Sequence, residues 1–344
     1  MVLPCGAESI EFRLEIGLKA DSAVMANHSA EDFGARLFLA FRNLVALGTF
    51  FAVVVALLRF VDFDNRTLLG IVPIAPILVA VGAVVFAALV NLRAFVAAMI
   101  VVVFLSVLAL PGTVVPRTGC DISTSRDESG IVVMSHNALV RNADIAGLVA
   151  QIEAVDPDVL LLQETTRALR TALAERLDRQ FANVETEGLQ TIASRWPLSD
   201  RFVAGTRTGG ALVATVEAPS GPLRVANVHL SAPLNVERRA AQRQEFDELV
   251  LWRAEQRVDV LMGDFNASSA NATFREIVDD GYLDAHREAG CGPGLTWTRF
   301  IGSGPALLSL DHALIEQDTE IESFVVLDYA SSDHKAIAVE LRPG

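Results

Sequence analysis

The sequence predicts two parts, three transmembrane α-helices followed by an α/β domain with a mixed sheet or two packed sheets. Of its 344 residues, 51% are hydrophobic, too many for one ordinary soluble domain, and the excess lies in 37–110. From Ile131 onward, short apolar runs alternate with helical patterns, and turn residues separate them. The predicted parts are a tail at 1–36, a membrane domain at 37–112, a linker at 113–130 and the α/β domain at 131–344.

Three apolar runs indicate the membrane domain, at about 43–58, 67–90 and 94–110. Each reaches or approaches the roughly 18 residues needed to cross a bilayer. Core helices or a cleaved signal peptide are the alternatives. Three nearly charge-free runs are difficult to bury in a soluble domain, and a signal peptide has one short run near the N-terminus. The sequence therefore predicts a lipid bilayer as a partner.

The positively charged residues around these runs predict the orientation. Arg36, Arg42 and Arg93 lie on one side, against Arg59 and Arg66 on the other. The excess of positive charge favours a cytoplasmic N-terminus. With three crossings, everything after the third helix then lies outside the cytoplasm, which predicts a protein of the bacterial plasma membrane with an extracytoplasmic domain.

The N-terminal tail and the cysteines constrain little. The tail is expected to be disordered, or to precede a true start at Met25. Cys5, Cys120 and Cys291 are too few for a thiolate-rich metal site or a disulfide scaffold. In an extracytoplasmic domain Cys120 and Cys291 can form one disulfide, and two unrelated thiols are the alternative.

The elements of the α/β domain follow from pattern. Strands are expected where short apolar runs are bounded by turn residues, and helices where apolar residues recur at helical spacing. The strands are predicted at 131–137, 156–164, 211–218, 222–230, 258–266, 311–315 and 335–341, and the helices at 142–155, 165–177, 235–255 and about 273–278.

Polar side chains stand at the ends of these strands. Strands form a rigid frame, so polar groups at their ends can converge on one cleft without burying charge in the core. A single Asp or Asn there is commonly only a turn residue, but a set of them predicts a site. The set is Asn137, Glu164, His229, Asp264, Asn266, Asp311, His312, Asp333 and His334.

The motifs around these residues resemble those of the endonuclease/exonuclease/phosphatase superfamily. They are "SHN", "DPDVLLLQE", "ANVHLSAP", "GDFNA", "LDHALI" and "SSDHKAI", in the family's order over 131–341. The resemblance implies a four-layer sandwich, two packed β-sheets flanked by helices. It also implies hydrolysis of phosphate esters with a divalent metal, Mg²⁺ or alternatively Mn²⁺.

The resemblance implies a role for each residue near the metal. Glu164 is expected to hold Mg²⁺, a hard cation that prefers oxygen ligands. Asn137 is expected to orient a metal-bound water or a phosphate oxygen, and Asp333 to be a second carboxylate near the metal. Asp264 is expected to orient or deprotonate the attacking water, and Asn266 to donate a hydrogen bond to the phosphate.

The resemblance also gives the histidines their roles. His334 is expected to contact the phosphate oxygen on which charge accumulates, with Asp311 fixing its tautomer and charge. His229 is expected to contact the phosphate or to act as general acid for the leaving oxygen. His136 and His312 neighbour site residues on their strands and point to the opposite face, so a structural role is expected for both.

The sequence leaves the substrate open. From residue 113 onward there are 21 basic and 34 acidic residues, a net charge of −13, and Lys335 is the only lysine. Nucleic acid remains an alternative substrate, although the sequence does not indicate the basic surface that usually binds it. A phospholipid or an inositol phosphate is another. A catalytically inactive binding module is disfavoured because Glu164, Asp264 and His334 are all present, and no protein partner is indicated.

Overall fold

The computed structural model describes most of the C-terminal two thirds of the chain. The described residues are 38–39, 120–122, 130–141, 144–205, 209–269, 271–291, 294–298, 306, 308–328 and 332–342. No helix within these ranges is both long and apolar enough to cross a bilayer. The three predicted membrane helices lie outside the described residues, and so does nearly all of the predicted tail, membrane domain and linker.

Twelve strands and five helices form the described part. The strands are β1 (Ile131–Asn137), β2 (Val159–Gln163), β3 (Asn183–Glu187), β4 (Gln190–Ser194), β5 (Leu198–Gly205), β6 (Gly210–Ala218), β7 (Gly221–His229), β8 (Val260–Asp264), β9 (Tyr282–Asp284), β10 (Asp311–Glu316), β11 (Glu320–Val326) and β12 (Ile337–Arg342). The helices are α1 (Ile145–Val155), α2 (Arg167–Leu177), α3 (Val236–Gln256), α4 (Ala272–Asp279) and α5 (Ala285–Ala289).

The strands form two six-stranded sheets. The order is β11-β12-β1-β2-β4-β3 in the first sheet and β5-β6-β7-β8-β10-β9 in the second. Each sheet contains one parallel pair, β1 with β2 and β7 with β8, and all other pairs are antiparallel. Because a parallel pair needs a crossover, α1 connects the first pair and α3 the second. Both sheets are therefore mixed.

The apolar side chains divide among three clusters, which define the layers. In β1, Ile131 and Val133 belong to the cluster between the sheets, and Val132 and Met134 belong to the cluster on the outer face. A strand covered on both faces is apolar throughout, which explains its unbroken apolar run. The outer cluster of the first sheet includes residues of α1 and α2, and that of the second sheet residues of α3 and α4. The predicted two sheets with flanking helices are confirmed.

The four longer helices begin where a polar side chain caps the free backbone N–H groups. The caps are Asp144, Thr166, Asn235 and Asn271, and each side chain accepts a hydrogen bond from a backbone N–H three residues later. These helices begin within three residues of the positions predicted from sequence.

Cys120 and Cys291 form a disulfide, with their Cα atoms 5.4 Å apart. The alternative of two unrelated thiols is therefore wrong. The bond joins 120–122 to the residue that follows α5 and its Gly290 cap. Ile122 packs against the outer cluster of the first sheet, and Cys291 packs against the cluster between the sheets. The middle of the predicted linker, at 120–122, is thus fixed to the sandwich.

Candidate active site

Four polar residues meet where the two parallel strand pairs end. Asn137, His229 and Asp264 are the last residues of β1, β7 and β8, and Glu164 directly follows β2. The Asn137 side-chain amide donates to Glu164 Oε1 at 3.2 Å and to Asp264 Oδ2 at 3.0 Å. Asn137 therefore joins carboxylates from both sheets. In open α/β sheets, ligands bind beyond the carboxyl ends of parallel strands, and this cluster lies there.

Glu164 is held at the mouth of this cluster by its backbone conformation. Its φ is 56°, in the left-handed region that a residue with a side chain rarely adopts. Its Oε2 accepts a hydrogen bond from the backbone N–H of Val140 at 2.9 Å. The side chain is 25% exposed, and its Oε1 lies 4.0 Å from His229 Nε2. Glu164 thus presents a fixed carboxylate to solvent beside a histidine.

Asp264 lies deeper and is almost fully buried. Its Oδ1 accepts from the backbone N–H of Asn266 at 2.8 Å, and its Oδ2 accepts from the Asn266 amide at 3.0 Å. His229 Nε2 is 3.9 Å from Asp264 Oδ2. Burial raises the pKa of Asp264 above its ordinary value, opposed mainly by the positive charge of His334. A raised pKa makes this carboxylate a better proton acceptor.

Gly263 explains how β8 can end so close to β7. Its φ is 149°, and a Cβ at this position would lie 2.0 Å from the carbonyl oxygen of Val228 on β7. Only glycine allows this approach without moving a strand. The next residue, Asp264, is paired in register with His229 across the parallel ladder.

Asp311 and His334 form a buried pair beside Asp264. Asp311 opens β10 opposite Asp264 in the antiparallel register. Its Oδ2 lies 2.8 Å from His334 Nδ1, and His334 Nε2 lies 3.7 Å from Asp264 Oδ2. Burial alone would lower the pKa of His334, but the charges of Asp311 and Asp264 outweigh it and raise the pKa to about 10. His334 is therefore an imidazolium at neutral pH.

Three further residues hold this pair or the neighbouring Asp333, and the sequence patterns did not identify them. Ser332 Oγ donates to the Asn137 carbonyl at 2.6 Å and accepts from the backbone N–H of His334 at 3.1 Å. Thr296 Oγ1 accepts from the backbone N–H of Asp311 at 3.1 Å. The Trp297 indole donates to Asp333 Oδ2 at 3.2 Å. The available signal was the "SSDH" stretch, which places Ser332 next to Asp333 and His334, whereas "TWT" adjoins no predicted site residue in the sequence.

A buried amide pair joins the two sheets directly behind the site. Gln163 Nε2 donates to Asn227 Oδ1 at 2.6 Å and to Ser135 Oγ at 3.0 Å. Gln163 precedes Glu164, and Asn227 is two residues before His229. Because both amides are buried, these hydrogen bonds are costly to break. The pair sets the spacing between the strand ends that carry Glu164 and His229.

Eight residues were predicted to have a catalytic, phosphate-binding or metal-binding role. Seven of them are linked by contacts of 4.0 Å or less, namely Asn137, Glu164, His229, Asp264, Asn266, Asp311 and His334. Asp333 lies next to His334 in the chain, and its carboxylate is bonded to Trp297 instead. The Asn266 amide donates to Asp264 and to the Leu230 carbonyl at 2.9 Å, so in this arrangement both of its donors are engaged within the protein.

The two neighbouring histidines point away from the site, as expected. His136 is buried, and burial lowers its pKa to about 3, with the charge of His334 adding to the effect. Among the described residues neither of its ring nitrogens has a hydrogen-bond partner. His312 packs 4.2 Å from the Phe274 ring, and its Nε2 is 3.0 Å from the Ala267 carbonyl.

Two places in the site offer ligand atoms to a divalent cation. Asp264, Asp311 and His334 have ligand atoms within 4.8 Å of one another, close enough for one metal ion. Asp311 Oδ1 is buried without a hydrogen-bond partner in the described part of the chain. Glu164 offers partly exposed carboxylate oxygens at the mouth, the donor type that Mg²⁺ prefers. The donor chemistry at the mouth suits a hard cation, whereas a protonated His334 opposes a cation beside it.

Comparison with known proteins connects the chain to one protein family. A sequence model of the Endonuclease/Exonuclease/phosphatase family matches residues 134–334. No curated protein matches the chain in sequence.

Solved structures share the fold. One is an endonuclease/exonuclease/phosphatase from Beutenbergia cavernae, with TM-score 0.50 and 20% identity over 63% of this chain and 72% of that one. A family protein from Bacteroides thetaiotaomicron has TM-score 0.52 and 14% identity over 63% and 98%. TDP2 of D. rerio, complexed with single strand DNA product, has TM-score 0.50 and 17% identity over 62% and 99%. At these identities the similarity establishes the fold alone.

Proposed function

The chain belongs to the endonuclease/exonuclease/phosphatase family, and from this premise we propose that it is a membrane-anchored, divalent-metal-dependent phosphodiesterase. Water is the nucleophile, and Mg²⁺ or Mn²⁺ is the metal. One observation carries the proposal. The buried carboxylate of Asp264 lies 3.7 Å from the imidazolium of His334. The Asn137 amide donates hydrogen bonds to both Asp264 and Glu164. In this proposal Asp264 is the proton acceptor, His334 the fixed positive charge and Glu164 the metal ligand.

Each side chain has a task that its environment supports. Asp264 orients water and accepts its proton, because burial raises its pKa. His334 stays charged through its bond to Asp311 and stabilises the negative charge that grows on the phosphate oxygens. His229, 23% exposed at the mouth, contacts the phosphate or protonates the leaving oxygen. No Ser or Cys nucleophile is needed.

The metal is expected at the mouth of the site. Glu164 would hold it, since the Asp333 carboxylate is bonded to Trp297 in this structure. A divalent cation bound there supplies positive charge that polarises the phosphate ester. Asn137, whose amide nitrogen faces both carboxylates, would keep Glu164 and Asp264 at a fixed separation. Phosphoryl transfer depends chiefly on such positioning and charge neutralisation.

A nuclease is the second candidate, and one comparison favours it. The similar structure of D. rerio TDP2 contains single strand DNA product. Against it, residues 113–344 carry a net charge of −13, whereas strong nucleic-acid binding usually relies on a basic surface. A lipid or small phosphodiester needs no extended basic surface and suits an enzyme held at a membrane.

The disulfide supports an extracytoplasmic catalytic domain. Disulfides persist in oxidising compartments and are rare in the cytosol. Cys120 lies in the predicted linker, eight residues after the end of the predicted membrane domain, and it is bonded to Cys291 in the sandwich. A reporter fused to the C-terminus and active only outside the cytoplasm would test this. Activity of a reporter that works only inside the cytoplasm would reverse the orientation.

Hydrolysis by the purified full-length chain tests the proposed function. A chromogenic phosphodiester should be cleaved with Mg²⁺ or Mn²⁺, and EDTA should abolish the reaction. Asp264→Asn and His334→Ala should each lower kcat by about 100-fold or more, whereas Asp279→Asn on the exposed end of α4 should not change it. Full activity in EDTA, or in both site variants, would refute the mechanism.

A substrate panel then separates the candidates. It comprises a phosphomonoester, plasmid DNA, single-stranded DNA, RNA, an inositol phosphate and sphingomyelin vesicles, each with and without Mg²⁺. Cleavage of the nucleic acids at rates far above the small diester would favour the nuclease. Preference for vesicles would favour a lipid phosphodiester.

A further inference from the structure

Two buried polar residues of α3 lie one turn apart and face the site from behind. Gln242 is 5% exposed and Glu245 is 1% exposed, although most of the helix surface around them is polar. Residues three apart in a helix lie on the same face. Neither belongs to the group of strand-end residues, and the Gln242 side chain bonds to the backbone of one member, Asn266.

Glu245 holds the loop that follows β7. Its Oε2 accepts from the backbone N–H of Ser231 at 2.7 Å, and its Oε1 accepts from the Ser231 hydroxyl at 2.8 Å. Ser231 is two residues beyond His229. The carboxylate also lies against Gly209, where an added Cβ would be 2.6 Å from Oε2. The residue after Gly209 pairs with His229 in the sheet, so Glu245 contacts both chain segments beside that histidine.

Gln242 holds the loop that follows β8. Its Nε2 donates to the carbonyl of Asn266 at 2.9 Å and to that of Phe265 at 3.3 Å. Asn266 has a φ of 48°, a left-handed conformation that costs free energy and needs support from its surroundings. In that conformation its backbone N–H and its amide both donate to Asp264. Gln242 therefore holds the residue that orients the Asp264 carboxylate.

The two loops are also tied to each other. The Asn266 amide donates to the Leu230 carbonyl at 2.9 Å, and the Leu230 N–H donates to the Asp264 carbonyl at 3.0 Å. One turn of α3 thus contacts a closed hydrogen-bonded unit that includes the neighbours of His229 and Asp264. Because of these two hydrogen bonds, we expect a shift of the loop after β7 to displace the loop after β8 as well.

The apolar face of α3 is sufficient to pack the helix against the second sheet, so Gln242 and Glu245 are not needed for that packing. Phe246 and Leu249 are each 1% exposed in the cluster that covers the second sheet, and Trp252 is 8% exposed. Burying a carboxylate is costly unless donors satisfy it, and apolar residues often serve stability equally well. A buried Glu and Gln beside loops that carry site residues are therefore better explained by positioning than by stability.

We propose that Gln242 and Glu245 are positioning residues, which set the relative placement of His229 and Asp264 without contacting the substrate. The proposal rests on the proposed phosphodiesterase function only for its kinetic readout. A displacement of about 1 Å at a reacting group can cost about 100-fold in rate. The expected signature is a loss in kcat with little change in KM and in folding.

The test uses Gln242→Leu and Glu245→Gln in the full-length chain, with Gln244→Leu on the exposed face of α3 as the matched control. Gln244 is exposed and bonds to Glu248 on the same helix. Hydrolysis of a chromogenic phosphodiester with Mg²⁺ should show kcat lowered by about 10- to 100-fold in the first two variants, with KM changed by less than about threefold. The control should match wild type.

Hydrogen exchange gives a readout that does not require activity. The Ser231 amide should exchange faster in Glu245→Gln, and the Asn266 amide faster in Gln242→Leu, while the strands keep their protection. If Glu245→Gln fails to fold, Ser231→Ala removes one of the same hydrogen bonds from the other side.

The outcomes distinguish the two proposals. Unchanged exchange at both amides, or unchanged kcat in folded variants, would overturn the positioning proposal. A kcat that falls only in proportion to the unfolded fraction, with Tm lowered to match, would also overturn it. If wild type cleaves no phosphodiester, the proposed function fails, and exchange at the two amides alone decides whether α3 positions the loops.

Discussion

Replacing Asp311 with Asn tests whether His334 works as a buried cation. The side chain keeps its shape and its oxygen can still accept from His334 Nδ1, now 2.8 Å from Asp311 Oδ2. What is lost is the negative charge. The pKa of His334 is raised from 6.5 to about 10, which corresponds to about 5 kcal/mol in favour of the charged form. Asp311 supplies the largest favourable part, so the pKa of His334 should fall, by about 2 units for the loss of one adjacent opposite charge.

The assay is the pH dependence of kcat for a chromogenic phosphodiester in Mg²⁺. Wild type should lose activity on the alkaline side only near or above pH 9, since His334 stays charged until then. In Asp311→Asn the same loss should occur near pH 8, so activity at pH 9 should be about 10-fold lower than in wild type. The ratio of variant to wild-type activity should recover as the pH is lowered.

Stability should follow the same titration. A folded pKa above the unfolded value stabilises the protein fully below pH 6.5, and this contribution is lost as the pH rises through about 10. Urea unfolding at pH 6 and pH 10 should therefore show a larger fall for wild type than for Asp311→Asn. Asp318→Asn, in the exposed turn after β10, is the control. Identical pH profiles in wild type and Asp311→Asn would refute the assignment of His334 as an imidazolium.

Three further outcomes are expected. Glu164→Ala should raise the Mg²⁺ concentration for half-maximal activity by about 10-fold or more, whereas Glu153→Ala on the exposed side of α1 should not. The same Mg²⁺ dependence in Glu164→Ala and wild type would mean that Glu164 does not bind the metal. Cys291→Ser should lower the free energy of unfolding by up to about 5 kcal/mol, because its disulfide to Cys120 closes a segment of 171 residues; an unchanged denaturation midpoint would contradict this. Gly263→Ala should destabilise by about 3 kcal/mol or more, since its Cβ would lie 2.0 Å from a neighbouring carbonyl; a wild-type midpoint would mean that the strand can shift at little cost.

The strands that were predicted from the sequence are mainly those that are packed on both faces. The helices that were predicted are those with an apolar side that packs against a sheet. All seven predicted strands and all four predicted helices are present within about three residues. Central strands such as β1 and β8 are apolar throughout because each packs against both the other sheet and helices. Their signal is therefore strong in the sequence alone.

The strands that sequence patterns missed are mainly at the edges. β3, β5, β9 and β11 are the four edge strands, and none was predicted; β4 next to β3 was also missed. β3 and β5 are mostly exposed, and β9 has three residues. Edge strands carry charged and polar residues, which removes the apolar pattern used to find them.

The site divides in the same way. Motifs such as "GDFN" and "SDH" identified the candidate residues at the strand ends, because the chemical group of each side chain can be read directly from the residue type. The residues that hold them were not found. Ser332, Thr296, Gln242 and Glu245 come from segments distant in sequence from some of the groups they hold, and their side chains look like ordinary surface residues until the fold brings them inside.

The sequence by itself determined the layered α/β domain, the family motifs and the candidate residues, because these depend on periodicity and residue type within short windows. Tertiary structure decided the register that pairs Asp311 with Asp264, the bond between Asp311 and His334, and the disulfide between Cys120 and Cys291. Each of these is a contact between distant segments, and its distance depends on how the two sheets pack. The charge on His334 follows from that packing, since burial and two neighbouring carboxylates set its pKa.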